Sequence, residues 1–397
     1  MYGFVNQKQR NMQMKKISLF TAAAFALLLV LSGCSSCPKT AGCPAAAYDG
    51  KKIKVGYFVG DGSRSSGVFY WAQLLFYSPQ LEVTLLDAAD VRNGKLKELD
   101  LLLIPGGSSA SQCKDLQDEG KKAIQDFVRE GGSYVGICAG FHCALNRKER
   151  LELMPFEYCQ GAGGSAALLA VDINQRGAEI MNVRPGRYKV RYSLGPISKP
   201  GKDWKHGKGE ILGVYKSYVS PIGKRGGHFF DAPSVIYGNY GKGKIIATSF
   251  HPESHVTNHG LAMGCIYAVT GLTPTPIFPK NNPRPLRVAY YTASTIGKAP
   301  IERMLELDKH PDIDIIFATT LEFTEGLLNH VDALVVPDAY DHKNAGLAKG
   351  YKAMFKKFMD RGGRIYVSGK EAAAFEKHAN LIEVPAGKSF VPAVLNK

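Results

Sequence analysis

The stretch LDLLLIPGG, Leu99 to Gly107, returns as VDALVVPDA, Val331 to Ala339, with Pro337 answering Pro105. Other segments return in the same order. LRVAYY answers IKVGYF, with Val288 for Val55, and HPDIDIIFA answers SPQLEVTLL, with Pro311 for Pro79. FKKFMDRGGRIYVSGK answers IQDFVREGGSYVGICA, with Phe358 for Phe127. The offset stays between 231 and 233 residues throughout. A chain that returns at so steady a spacing carries a duplicated supersecondary core, and both copies must bury the same faces.

Within the first copy, IKVGYFVG, LEVTLLDA, LDLLLIPGG and SYVGICAG are strand-like, and VFYWAQLLFY and KKAIQDFVREGG between them are helix-like. Strands alternating with helices at this spacing give an open parallel sheet with helices on both faces. LDLLLI has no polar break after Asp100, as expected of a strand buried on both sides. The expected fold class is therefore α/β. A flavodoxin-like parallel sheet spans residues 52–272, and a shorter degenerate repeat of the same core spans 286–397. The Pro-rich stretch 273–285 reads as the linker. YGNYGKGKIIATSFHPE reads as a β-hairpin whose second strand delivers His251 and Glu253.

Chemistry is concentrated in the first copy. In GICAGFHCA, Cys138 stands between Gly136 and Gly140, where a buried strand turns into a helix. Such an elbow exposes its central side chain and needs small neighbours. The helix start favours negative charge on the sulfur. A thiol nucleophile needs a base, and the base needs an orienting acceptor. His251 and Glu253 supply both. Backbone N–H groups of Gly106 or Gly107 and of Ala139 are the candidate oxyanion donors. In the second copy Gly369 stands in place of Cys138, Asp338-Ala339 replace Gly106-Gly107, and no His-Pro-Glu follows. That copy is expected to lack catalytic residues.

The order PGG, GxCAG, GGHFF (Gly226 to Phe230) and YGKGK…HPE resembles the class I glutamine amidotransferase superfamily, in its biotin-protein ligase N-terminal-like branch. The resemblance covers residues 52–272. It implies nucleophile Cys138, base His251, orienting acid Glu253, and oxyanion donors in the Gly106-Gly107 turn and at Ala139. It implies no cofactor. His142, Gly227 and His228 are candidate cleft-lining residues. No ligase catalytic domain or fused synthetase is read in this sequence, so a destination for ammonia is not expected. The expected activity is thiol-dependent hydrolysis of a small amide or peptide-like substrate. One rival is a non-catalytic binding protein that keeps the cleft. The other is a redox protein pairing Cys138 with Cys143. His255 and His259 with His251 lack a firm acidic partner, and no metal site is expected.

The N-terminus bears on location. MKKISLFTAAAFALLLVLSGC, Met14 to Cys34, has a basic start and a 15-residue apolar run, Ile17 to Leu31. That run is shorter than the ~20 residues of a transmembrane helix and reads as a signal peptide. LSGC resembles a bacterial lipobox, which implies lipidation at Cys34 after removal of residues 1–33. Residues 34–51, rich in Ser, Pro, Ala and Gly, read as a flexible tether. The expected location is the cell envelope, anchored to the membrane by lipid, at the outer membrane if the cell is Gram-negative.

Formal net charge is +15, and from Arg184 to Arg225 eleven Lys or Arg face only Asp203 and Glu210. Such a stretch can attract an anionic envelope polymer. No nucleic-acid motif accompanies it, and no nucleic-acid partner is expected.

Overall fold

The computed structural model describes residues 50–64, 66–161, 167–202, 209–217, 230–275, 286–293, 297–338, 344–368 and 372–395. Cys34, Gly227, His228, Gly369 and most of the tether and linker lie outside the described residues.

The first lobe is built on β1 (Ile53–Phe58), helix α1 (Ser66–Tyr77), β2 (Leu81–Leu86), β3 (Leu101–Ile104), helix α2 (Ser109–Glu130) and β4 (Ser133–Ile137). The six-residue helix α3 (Ala139–Ala144) follows at once. Seven more strands complete the lobe: β5 (Phe156–Gly161), β6 (Ala167–Ile173), β7 (Gly186–Tyr192), β8 (Pro196–Pro200), β9 (Gly209–Tyr215), β10 (Pro233–Tyr240) and β11 (Gly243–Thr248). Helix α4 (His259–Thr270) closes it. The main sheet runs β2-β1-β3-β4-β11-β10-β9-β6-β7, and β5 and β8 form a separate ribbon. Strands from β2 to β11 are parallel, and β10, β9, β6 and β7 add antiparallel pairings. All four residues of β3 are fully buried, which explains its unbroken apolar sequence.

The second lobe has β12 (Leu286–Tyr291), helix α5 (Lys298–Lys309), β13 (Ile313–Ala318), β14 (Ala333–Val336), β15 (Arg364–Ser368) and β16 (Leu381–Val384). Its sheet is wholly parallel in the order β13-β12-β14-β15-β16, repeating β2-β1-β3-β4. The duplication extends to single hydrogen bonds. Tyr57 Oη donates to Val68 O at 2.7 Å, and Tyr290 Oη donates to Pro300 O at 2.7 Å. Asp100 accepts from Lys54 N at 2.9 Å, and Asp332 accepts from Arg287 N at 2.8 Å. Asp87 with Asp90 and Thr319 with Glu322 form matching capping boxes.

The two lobes share a core. Helix α1 is buried on nearly every side because one face covers the first sheet and another meets the second lobe. Phe69 lies 5.6 Å from Tyr290 and 5.7 Å from Phe317 between ring centroids, and Tyr70 meets Phe317 edge-on at 4.8 Å. Gln73 Nε2 donates to Asp308 Oδ2 at 2.9 Å, and Tyr77 Oη bonds the same oxygen. Residues 49–397 accordingly form one compact unit. Among the described residues no helix is long and apolar enough to cross a membrane.

Candidate active site

Two parallel strands set the site. Strand β11 pairs with β4 from Ile245↔Tyr134 to Thr248↔Ile137, so both chains leave the sheet at the same edge. β4 runs into Cys138, and β11 runs through Ser249 and Phe250 to His251. The hairpin read from sequence is present as β10 and β11. The Cys138 N–H donates back to Thr248 O at 2.7 Å and ties the elbow to the neighbouring strand.

Cys138 itself sits at φ 51°, ψ −95°, outside the regions that non-glycine residues favour. Such strain persists only where neighbours over-determine it. The packing around it is tight. A Cβ on Gly140 would lie 2.1 Å from Ile104 O, and one on Gly136 would lie 2.6 Å from Gly140 O. Only glycine lets helix α3 start this close to β3. With six residues, α3 has a small dipole, so the helix start is a lesser source of positive potential than expected. The positive partner is a side chain.

That side chain is His251. It is buried, and its Nδ1 lies 2.8 Å from Glu253 Oε1. The Cys138 sulfur is near enough to the ring to add to its pKa shift. Burial alone pushes an imidazole toward the neutral form. The Glu253 carboxylate and then the Cys138 sulfur outweigh it and raise the His251 pKa to about 10. The shift favours the protonated ring, held at Nδ1 by the Glu253 carboxylate. The His251 N–H donates to Arg191 O at 2.8 Å, which fixes the backbone behind the ring. Cys138 Sγ also lies 3.6 Å from Ser193 O.

The glycines nominated as oxyanion donors have different positions. Gly106 lies against the imidazole, where a Cβ would stand 2.5 Å from His251 Cε1. Its carbonyl accepts from Arg64 N at 3.2 Å. Gly107 has φ 141°, and a Cβ there would lie 1.9 Å from Gly62 O. Ala139 opens the first turn of α3, where no intrahelical acceptor exists for its N–H.

His142 is committed elsewhere. Its Nδ1 lies 3.0 Å from Ser109 Oγ, and its ring stacks on Tyr158 at 4.5 Å. Burial, then Arg150 and Arg147, lower its pKa to about 4. Cys143, paired with Cys138 in the redox reading, has a different sulfur as its contact. Cys143 instead meets Cys113, with sulfurs 3.4 Å apart. His255 Nδ1 lies 2.8 Å from Thr257 Oγ1, and His259 Nε2 lies 3.1 Å from Glu253 O.

Several neighbours were not foreseen. Gly67, the second residue of α1, lies against the acid, where a Cβ would stand 2.3 Å from Glu253 Oε1. A glycine opening the bulky run GVFYWAQLLFY was the available signal. Ser193 acts through a carbonyl, which leaves no trace in side-chain type. Tyr215 and Ser249 are buried together, 2.5 Å apart between oxygens, and join strands distant in sequence.

Comparison with known proteins covers part of this lobe. The family described as biotin-protein ligase, N terminal, matches residues 59–150. A biotin–protein ligase of Schizosaccharomyces pombe is 24% identical over 177 residues, covering 38% of this chain and 25% of that protein. An uncharacterized protein of Chlamydia muridarum is 37% identical over 78 residues, 19% of this chain and 30% of that one. The chain thus spans less than a third of either relative. Similar solved structures include PurLQS from Thermotoga maritima, 15% identical with a TM-score of 0.40, covering 54% of this chain and 99% of that one. A ThuA-like protein from Bacteroides uniformis is 14% identical with a TM-score of 0.44, covering 57% and 95%.

Proposed function

We propose that this protein is a thiol-dependent amide hydrolase of glutamine amidotransferase-like type. The observation that carries the reading is the buried His251–Glu253 pair at 2.8 Å, with the Cys138 sulfur near enough to raise the ring's pKa. In it a thiol on a strained backbone neighbours an imidazole whose Nδ1 is held by a carboxylate. That is the arrangement a sulfur nucleophile requires.

In the proposed reaction the Cys138 thiolate attacks the carbonyl carbon of the amide. The carbonyl oxygen takes the charge and is stabilised by the N–H groups of Ala139 and the Gly106-Gly107 turn. His251, already protonated, gives its proton to the leaving nitrogen as the C–N bond breaks. The neutral ring then takes a proton from water, which attacks the thioester. Cys138 departs as thiolate and the acid product forms. Glu253 keeps the ring oriented throughout. No step requires a cofactor.

The proposal extends to location. Lipidation of Cys34 would tether the domain at the cell envelope. The basic stretch 184–225 would face an anionic envelope polymer, though Arg187 within it is already held by Asp172 at 2.8 and 3.0 Å.

The test is ammonia release from glutamine, γ-glutamyl amides and peptide amides by the purified chain, with Cys138→Ser as control. Turnover lost in that variant supports the hydrolase. Binding of an amide without turnover in either form supports the rival non-catalytic receptor, which the low exposure of the Cys138 residue (5%) favours.

A further inference from the structure

A second pair of sulfurs lies just behind the elbow. Cys113, on α2, and Cys143, on α3, are both buried, and their Sγ atoms are 3.4 Å apart. A disulfide bond measures about 2.05 Å, so the sulfurs need approach by only about 1.4 Å. Two features mark the pair as more than core filling. Cys143 Sγ also lies 3.5 Å from Gln112 Oε1 and 3.9 Å from Ser109 O, so its hydrogen is shared among polar acceptors. Gln112 is fully buried, and its Nε2 donates to Pro105 O at 3.1 Å and Ser63 Oγ at 3.5 Å. One amide thus joins the dithiol to the turn that carries Gly106 and Gly107.

The geometry points to Cys113 and Cys143 as a reversible redox-modification site whose state is transmitted through Gln112 to the Pro105–Gly107 turn. The oxidant is a disulfide, either oxidised glutathione or the active-site disulfide of a thiol–disulfide oxidoreductase. Cys113 attacks first. The Cys143 hydrogen bond, with Arg150 and Lys121 nearby, holds its thiol below the usual range despite burial. Its sulfur bonds to one sulfur of the oxidant, and the other leaves as a thiol. The Cys143 thiolate then attacks the Cys113 sulfur and expels the second thiol. Two protein thiols are oxidised, one external disulfide is reduced, and both protons leave with the departing thiols. Gln112 Oε1 then loses its thiol donor. The turn it positions abuts the His251 ring at Gly106.

The full chain is incubated with oxidised glutathione under native conditions, quenched with acid, alkylated and mapped by mass spectrometry. The expected product is a Cys113–Cys143 cross-linked peptide, lighter by two hydrogens. The site is overturned if both cysteines remain alkylatable where exposed Cys159 has become a mixed disulfide. The second readout is the alkylation rate of Cys138, which does not depend on the hydrolase reading. It should fall by about threefold or more on cross-linking. In Cys143→Ser, Cys138 free of glutathione adduct by mass should keep its rate after the same treatment. An unchanged rate in cross-linked wild type overturns the coupling to the turn.

Discussion

His251 Nδ1 lies 2.8 Å from Glu253 Oε1, while Glu253 Oε2, fully buried, has no hydrogen-bond partner among the described residues. The carboxylate is thus committed to one ring. The electrostatics of the site concentrate in that contact.

A first consequence is a pH profile of stability with two limbs of different origin. The His251 pKa is raised from 6.5 to about 10, so the folded chain holds a proton that the unfolded chain releases. That stabilisation is complete below pH 6.5 and is lost as pH rises toward 10. The His142 pKa is lowered from 6.5 to about 4, so below pH 6.5 the unfolded chain takes up a proton that the folded chain refuses. Stability from this group falls between pH 6.5 and 4. Urea unfolding should therefore show a maximum near neutrality. Glu253→Gln should flatten the alkaline limb and His142→Gln the acid limb. An unchanged alkaline slope in Glu253→Gln would contradict the assignment.

Two glycines near the elbow should fail in different ways. Gly140→Ala meets backbone, Ile104 O at 2.1 Å, and should cost about 3 kcal/mol in unfolding free energy. Gly106→Ala meets a side chain, the His251 ring at 2.5 Å. It should leave most stability intact and slow Cys138 alkylation by about tenfold or more. Denaturation and labelling measured together separate the two, and equal behaviour of the variants would count against the packing described.

The second lobe should not unfold separately. Phe317→Ala removes a buried ring that packs on Phe69 and Tyr70, and should cost about 3 kcal/mol. Asp308→Ala takes the acceptor from Gln73 and Tyr77, and should cost about 1–3 kcal/mol. Both should shift a single transition seen alike by far-UV circular dichroism and tryptophan fluorescence. Two separated transitions in the wild type would show that the lobes are independent.

Periodicity and the repeat made the doubly copied parallel sheet legible, because strands buried on both faces leave unbroken apolar runs such as LLLI. The elbow was legible because Gly136 and Gly140 have no substitute at those distances. Three features were hidden. The antiparallel extension through β10, β9, β6 and β7 depends on pairings far apart in sequence. The orientation of His142 toward Ser109 and Tyr158 depends on helix phase and on packing by residues 109 and 158, which no local pattern encodes. Helix α1 read as buried from its apolar run, but what covers its outer face, the second lobe's Tyr290, Phe317 and Asp308, did not.

The most direct measurement is the iodoacetamide labelling rate of Cys138 at pH 7 in wild type and in His251→Gln, with Cys159 in the same sample as reference. An imidazolium facing the sulfur predicts that Cys138 reacts at least about ten times faster than Cys159 and that this advantage disappears in the variant. Equal rates for Cys138 in the two proteins would contradict the pairing on which the proposed chemistry rests.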